Sequence, residues 1–252
     1  MNTKTFFVSV VLTIIFSISC GANVKYTKQV NLTIPAGQAK SFTAQTHNGE
    51  INIKGSQTTD CKLIATIITK ADTEEIAKKI AEEVKISLLT DGNGLTVKIE
   101  KPEMPKDAQL SVNLDANLSA AINLSLVAHN GNVAVADISG STDALTHNGN
   151  IDYKGSLANL KMGTHNGNVN IKCIEQSANK CEISAETHNG NIEFAAPENF
   201  SASVDASTHN GSIRTSLLVA VDGKMGKNLK GTIGGGRDKL FLKTHNGSIK
   251  IK

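Results

Sequence analysis

Apolar and polar residues alternate along much of the chain, as in Leu160, Met162 and Thr164, or Ile183, Ala185 and Thr187, or Val204, Ala206 and Thr208. A period of two is the mark of strands with one face buried. One segment departs from it. Ile76, Ile80 and Val84 share a face with Ala77 and Ala81, and Asp72 followed by Glu75 makes a capping-box-like start, so the pattern predicts one helix over 73–85. Strands are expected on either side of it, Leu63 to Thr69 before and Val84 to Leu89 with Leu95 to Ile99 after. Asp91-Gly92-Asn93-Gly94 is the turn that joins the last two.

Each alternating run of the larger part ends in the same tripeptide. All seven histidines belong to His-Asn-Gly, at His47, His129, His147, His165, His188, His209 and His245. Threonine precedes six copies and Ala128 the seventh, and two residues after each glycine stands an isoleucine or valine. The unit is Thr-His-Asn-Gly-x-(Ile/Val). By the alternation, threonine faces inward with the aliphatics, and histidine faces outward beside Lys161, Glu186, Ser207 and Lys243. Asn-Gly tolerates positive φ, so each copy predicts a change of direction between two strands.

If every Asn-Gly closes a hairpin, the protein is an antiparallel meander; if each is a corner, successive copies stack into a β-solenoid. The central intervals are 18, 18, 23 and 21 residues, near-constant with insertions, which favours stacked coils. The last interval, 36, is twice 18 and places a degenerate corner at Lys227-Asn228. The first, 82 residues, holds the helix. The expected fold is therefore all-β, a β-solenoid of coils about 18–21 residues long with one small helix-containing insertion that covers the N-terminal end of the stack. The expected divisions are a signal peptide at 1–19, a linker at 20–30, N-terminal strands with the inserted helix at 31–107, and the repeat solenoid at 108–252.

The N-terminus gives a cell address. Lys4 precedes an uncharged run from Phe6 to Ser19, the length of a signal-peptide core and short of a membrane span. Ser17-Ile18-Ser19-Cys20-Gly21 resembles the bacterial lipobox, which makes Cys20 the lipidated mature N-terminus and the membrane a partner through that anchor. Ser17 stands where a leucine is usual, and ordinary cleavage to a periplasmic or secreted protein is the alternative. Export permits disulfides, and Cys173 with Cys181 brackets the polar stretch 174–180 as a loop pinned at its base. Cys61 has no evident partner and suits a buried apolar site.

Signal segment, strand-and-helix module and Thr-x-Asn-Gly-x-Ile repeats, with Ile233-Gly234-Gly235-Gly236 before the last copy, resemble the bacterial "putative adhesin" domain family of unknown function. The resemblance covers about residues 30–252. It implies an all-β repeat fold at the cell envelope, probes no chemistry, and brings no catalytic residues. Histidine before every Asn-Gly lies outside the family pattern, in which small residues are common.

Composition narrows the function. Of 252 residues 39% are hydrophobic, aromatics are 4%, and tryptophan is absent, so small and branched aliphatics must fill the core. A net charge of +3 with only Arg214 and Arg237 gives no basic stripe for nucleic acid. Every histidine belongs to the repeat, so no Ser-His-Asp set can be nominated and no enzyme is expected. Stacked coils would align His129, His147, His165, His188 and His209 in a ladder with steps of about 4.8 Å. Zinc, copper or nickel suits imidazole, but no Asp, Glu or Cys recurs beside the ladder, so such sites would be weak and no cofactor is expected. The plainer reading is a corner residue copied by duplication. Protonating all seven histidines would move the formal charge from +3 to +10 and favour anionic envelope polymers in mild acid. Lys224, Lys227 and Lys230 read as a solvated loop. The sequence thus predicts a non-enzymatic, exported outer-membrane lipoprotein whose solenoid binds an envelope polymer or a protein, with metal binding or a pH response by the ladder as the alternative.

Overall fold

Each Asn-Gly corner passes the chain from one sheet to another, and the apolar residues that alternate into and out of the corner meet between the two. The computed structural model describes residues 13–14, 24–223 and 226–252. Cys20, Lys224 and, but for residues 13–14, the expected signal segment lie outside them. Among the described residues the strands form two sheets of eleven. The second sheet carries the strands that lead into the corners: Ser41–Asn48, Asn123–Asn130, Thr142–Asn148, Leu160–Asn166, Glu182–Asn189, Ala202–Asn210 and Asp238–Asn246. The first sheet carries those that leave: Ile51–Ser56, Val133–Ala136, Ile151–Ser156, Val169–Glu175, Ile192–Ala195, Ile213–Thr215 and Ile249–Ile251. Neighbouring coils pair in parallel and in register, Thr146 opposite Thr164 and Thr164 opposite Thr187. This is the stacked-coil arrangement, a β-solenoid-like fold rather than a meander.

The core between the sheets is aliphatic, with Phe42 and Phe194 its largest fully buried side chains. The helix-bearing segment caps one end. Val24–Pro35 and Asp60–Ala71 pair antiparallel, and Gln109–Ser119 joins them to the first coil. The helix, Glu74–Glu83, buries Ala77, Ile80 and Ala81; Ile76, expected on that face, is exposed. Its N-cap is Thr73, not Asp72: the threonine hydroxyl accepts from the Ile76 N–H at 3.3 Å. Thr69 Oγ1 donates to Ala77 O at 2.7 Å and Lys28 Nζ to Ala81 O at 3.1 Å, tying helix to strands. The hairpin of Lys85–Asp91 and Gly94–Glu100 turns through Gly92 at φ 57° and edges the second sheet. The strand bearing His47 pairs directly with that bearing His129, so the first coil belongs to the stack although it precedes residue 107.

The C-terminal end differs from expectation. Lys227-Asn228 is not a corner. Asn228–Ile233 runs antiparallel beside Ala202–Asn210, Gly234 and Gly236 (φ 56° and 69°) then reverse the chain, and Asp238–Asn246 enters between Glu182–Asn189 and Ala202–Asn210. The coil of His245 therefore lies between those of His188 and His209.

The corners also use glycine differently. None of the corner asparagines has positive φ, and among the corner glycines only Gly49 and Gly167 do. What the corner requires is close approach: a Cβ on Gly149 would lie 2.1 Å from the Gly131 carbonyl oxygen, and one on Gly190 would lie 1.8 Å from that of Gly167. Gly149→Ala should therefore lower unfolding stability by roughly 1–3 kcal/mol, the cost of overpacking a rigid contact. Gly226→Ala, which meets nothing within 4 Å, should change it by less than about 0.5 kcal/mol. Urea unfolding of the two variants checks both.

Candidate functional site

Each residue of the repeat except histidine has a structural partner in the next coil. The threonines are buried, and five of them donate to a neighbouring corner glycine: Thr146 Oγ1 to Gly131 O at 2.8 Å, Thr164 to Gly149, Thr187 to Gly167, Thr244 to Gly190 and Thr208 to Gly247. Thr46 uses Val112 O instead, and Ala128 has no hydroxyl. The asparagines form an unbroken ladder, with Asn166 Nδ2 to Asn148 Oδ1 and Asn148 Nδ2 to Asn130 Oδ1 both at 2.7 Å. A second ladder runs through the position after glycine. Asn132, Asn150, Asn168 and Asn191 each accept from the backbone N–H of the next coil at 2.8 Å. Sequence reasoning left that position open, although asparagine fills it in four of seven copies.

Histidine is outward and exposed, and it stacks. All seven rings form one file in the order 47, 129, 147, 165, 188, 245, 209, with centroids 4.6–5.0 Å apart. The five residues expected in a ladder are all in it, but His188 and His209 are separated by His245, and His47 extends it. Most pairs are within 18° of parallel; His147 and His165 are at 29°. Near-parallel rings keep their nitrogen lone pairs in separate, near-parallel planes rather than aimed at a common point. Two imidazoles sharing a zinc ion need nitrogens about 3.4 Å apart, from Zn–N bonds of about 2.05 Å and tetrahedral angles. A chelate would have to tilt rings out of this stack. Among the described residues no group of three or more His, Cys, Asp or Glu is gathered for a metal.

Two rings of the file, those of His47 and His245, are biased toward the neutral form. Partial desolvation lowers the pKa of His47, with Lys101 and His129 adding repulsion; desolvation, then His209 and His188, lowers that of His245. Other charges near the file are Glu186, Lys243 and Lys227, whose Nζ donates to His209 O at 2.6 Å.

The expected disulfide is not formed: Cys173 and Cys181 are free, buried thiols, as is Cys61. Cys181 Sγ donates to Asn179 O at 3.4 Å. The intervening loop is clasped from the last coil instead. Arg237 Nη2 donates to Ser177 O at 2.8 Å and Asn179 O at 3.2 Å, while buried Asp238 accepts from the Cys181 N–H at 2.9 Å. These contacts supply the closure that a covalent bond was expected to give.

The outer faces of the sheets hold the larger concavities. Across the first sheet lies a groove of about 880 Å³, floored by Ala134, Ala136 and Ala195 and edged by Lys54, Lys154 and Lys172. Across the second, beside the histidines, lies another of about 950 Å³, where Gly163 leaves a dip between Leu145 and Glu186.

Two outcomes follow. A histidine whose folded pKa is depressed contributes stability above its unfolded value, near 6.5, and loses it as pH falls through the folded value. The urea midpoint should thus drop between about pH 7.5 and pH 5, and by less in His47→Ser/His245→Ser; a midpoint with equal pH dependence in both proteins would contradict this. Burial pushes the Cys61 and Cys173 thiols up to about 12. Neither should react with a thiol reagent at about pH 8 until urea unfolds the chain.

The comparisons with known proteins agree with the fold. Over 90% of this chain and 99% of the other, the structure is similar to that of a "putative cell adhesion protein" from Clostridium sporogenes, at TM-score 0.51 and 14% identity. A "putative adhesin" from Bacteroides fragilis aligns over 89% of this chain and 97% of the other at 12% identity and TM-score 0.35. A "putative lipid binding protein" from Parabacteroides distasonis has the same coverage and identity at TM-score 0.30. The first likeness shows a shared fold; the other two are too weak to carry an argument. No curated protein matches the chain. The model of a family of repeat β-proteins matches residues 11–252, nearly the whole length, and the protein belongs to that family, Toastrack DUF4097.

Proposed function

We propose that this protein is a non-enzymatic, exported cell-envelope lipoprotein that binds a partner through the outer face of its first sheet, an adhesive role. The observation that carries the reading is the groove of about 880 Å³ across that face, whose floor of alanines between lysines leaves room for an extended ligand. Rigid in-register strands hold its rim side chains in fixed rows, as a binding surface needs. The Clostridium structure, named a "putative cell adhesion protein", points the same way. Among the described residues no helix is long and apolar enough to cross a membrane, and Cys20 supplies the anchor in this reading.

A second role is favoured by histidine, the polar side chain of the repeat that the fold does not use in its threonine and asparagine hydrogen bonds. Seven stacked, exposed imidazoles would gain up to seven charges on acidification and repel one another, so the same protein would respond to mild acid.

Two measurements test the proposal. Cells grown with a clickable fatty acid should label the protein and retain it in the outer-membrane fraction, and Cys20→Ala should abolish both; membrane retention equal in the variant would contradict the anchor. The fluorescently tagged chain should sediment with bacterial envelopes. Ala136→Trp/Ala195→Trp, which fills the groove from outward positions, should reduce that binding several-fold with unchanged thermal unfolding. Equal binding by the variant would contradict the groove as the binding face.

A further inference from the structure

The lysines of the groove are ordered by the register of the strands. Lys62 pairs across with Asn117, Asn117 with Lys54, and Lys54 with Ala136. Ala136 pairs with Lys154, Lys154 with Lys172, and Lys172 with Ala195. Phe194 opposite Ile251 places Lys252 next to Ala195. These side chains form one straight row across eight strands, roughly 34 Å long at about 4.8 Å per strand. Lysines fill its first, third, fifth, sixth and eighth places, so positive charge recurs about every 10 Å, with one closer pair. Lys252 is paired with Glu193. Among the described residues, Lys62, Lys54, Lys154 and Lys172 have no ion-pair partner.

The neighbouring row, two residues back along each strand, has different chemistry. Asn52 Nδ2 donates to Asp115 Oδ1 at 2.9 Å and Asn170 Nδ2 to Asp152 Oδ1 at 2.8 Å, while Glu193 is held by Lys252 and Lys250. Each amide-bound carboxylate keeps a second oxygen that can accept from a hydroxyl. The groove therefore offers cations in one line and hydroxyl acceptors in a parallel line about 7 Å away, with Ala136 and Ala195 in the first line and Ala134 in the second leaving space among the longer side chains.

We propose, building on the binding role above, that this groove takes an extended acidic polysaccharide lying across the strands, with an anionic group on about every second sugar. The anionic groups would meet the lysine row, and the hydroxyls of the intervening sugars would donate to Asp115 and Asp152. The charge spacing selects the repeat. A peptide fits the site poorly: sheets take peptides at open edges through backbone hydrogen bonds, and the groove crosses strands whose backbones are already paired.

The test is calorimetry of the full chain in non-ionic detergent with hyaluronan oligosaccharides, which carry one carboxylate per disaccharide, beside neutral dextran and poly-L-glutamate. Hyaluronan should bind, more weakly at about 300 mM than at about 50 mM salt, and dextran should not. Lys54→Gln/Lys154→Gln/Lys172→Gln should weaken binding about ten-fold or more with unchanged thermal unfolding. No binding of hyaluronan, equal binding by the triple variant, or equal binding of poly-L-glutamate would overturn the proposal. Envelope sedimentation separates the two levels. If the wild-type chain sediments with envelopes but ignores hyaluronan, the polysaccharide is wrong and the binding role stands; if it does neither, both fall.

Discussion

Contact between successive Asn-Gly corners is the constraint on which the rest of this structure depends. With no Cβ on the corner glycine, one corner sits on the carbonyl of its neighbour, and in five coils the threonine hydroxyl reaches that carbonyl at 2.7–2.9 Å. Two asparagine ladders run beside it. Net contributions of about 1 kcal/mol for each such bond are modest, yet every one of them exists in only one register. A slip by one residue would turn threonine outward and histidine into the core.

Because the corners fix register, whatever side chain stands at an outward position is repeated as a row with the spacing of strands. Threonine, both asparagines, glycine and isoleucine are used by the fold itself. Histidine is not, and its rings are stacked because the backbone brings them there rather than because imidazoles seek face-to-face contact. The same geometry makes a line of the lysines on the first sheet, although they belong to strands from residues 51 to 252. Outward side chains in such a fold are arrayed in rows rather than in convergent clusters.

Much of this was legible from local pattern. The alternation into Thr-His-Asn-Gly placed threonine inward and histidine outward, near-constant spacing indicated stacked coils, and Asp91-Gly92-Asn93-Gly94 marked its hairpin. What escaped depended on distant partners. An interval of 36 residues between His209 and His245 looked like two coils, but the glycines at 234 and 236 reverse the chain and send the last coil between two earlier ones. Cys173 and Cys181 looked like a clasp, whereas Arg237 and Asp238 hold that loop from a coil that sequence order places elsewhere. The lysine row was invisible for the same reason: Lys62 meets Lys54 only across Asn117 of the N-terminal cap, and Lys54 meets Lys154 only across Ala136 of the next coil.

The coil order is the claim from which the ladders and rows follow, and imidazole-to-imidazole nuclear Overhauser contacts in the selectively labelled protein measure it. The account predicts that His245 shows contacts to both His188 and His209, at centroid distances of 4.8 and 4.6 Å. His188 and His209 should show none to each other. A direct contact between those two, with His245 remote from His188, would contradict it.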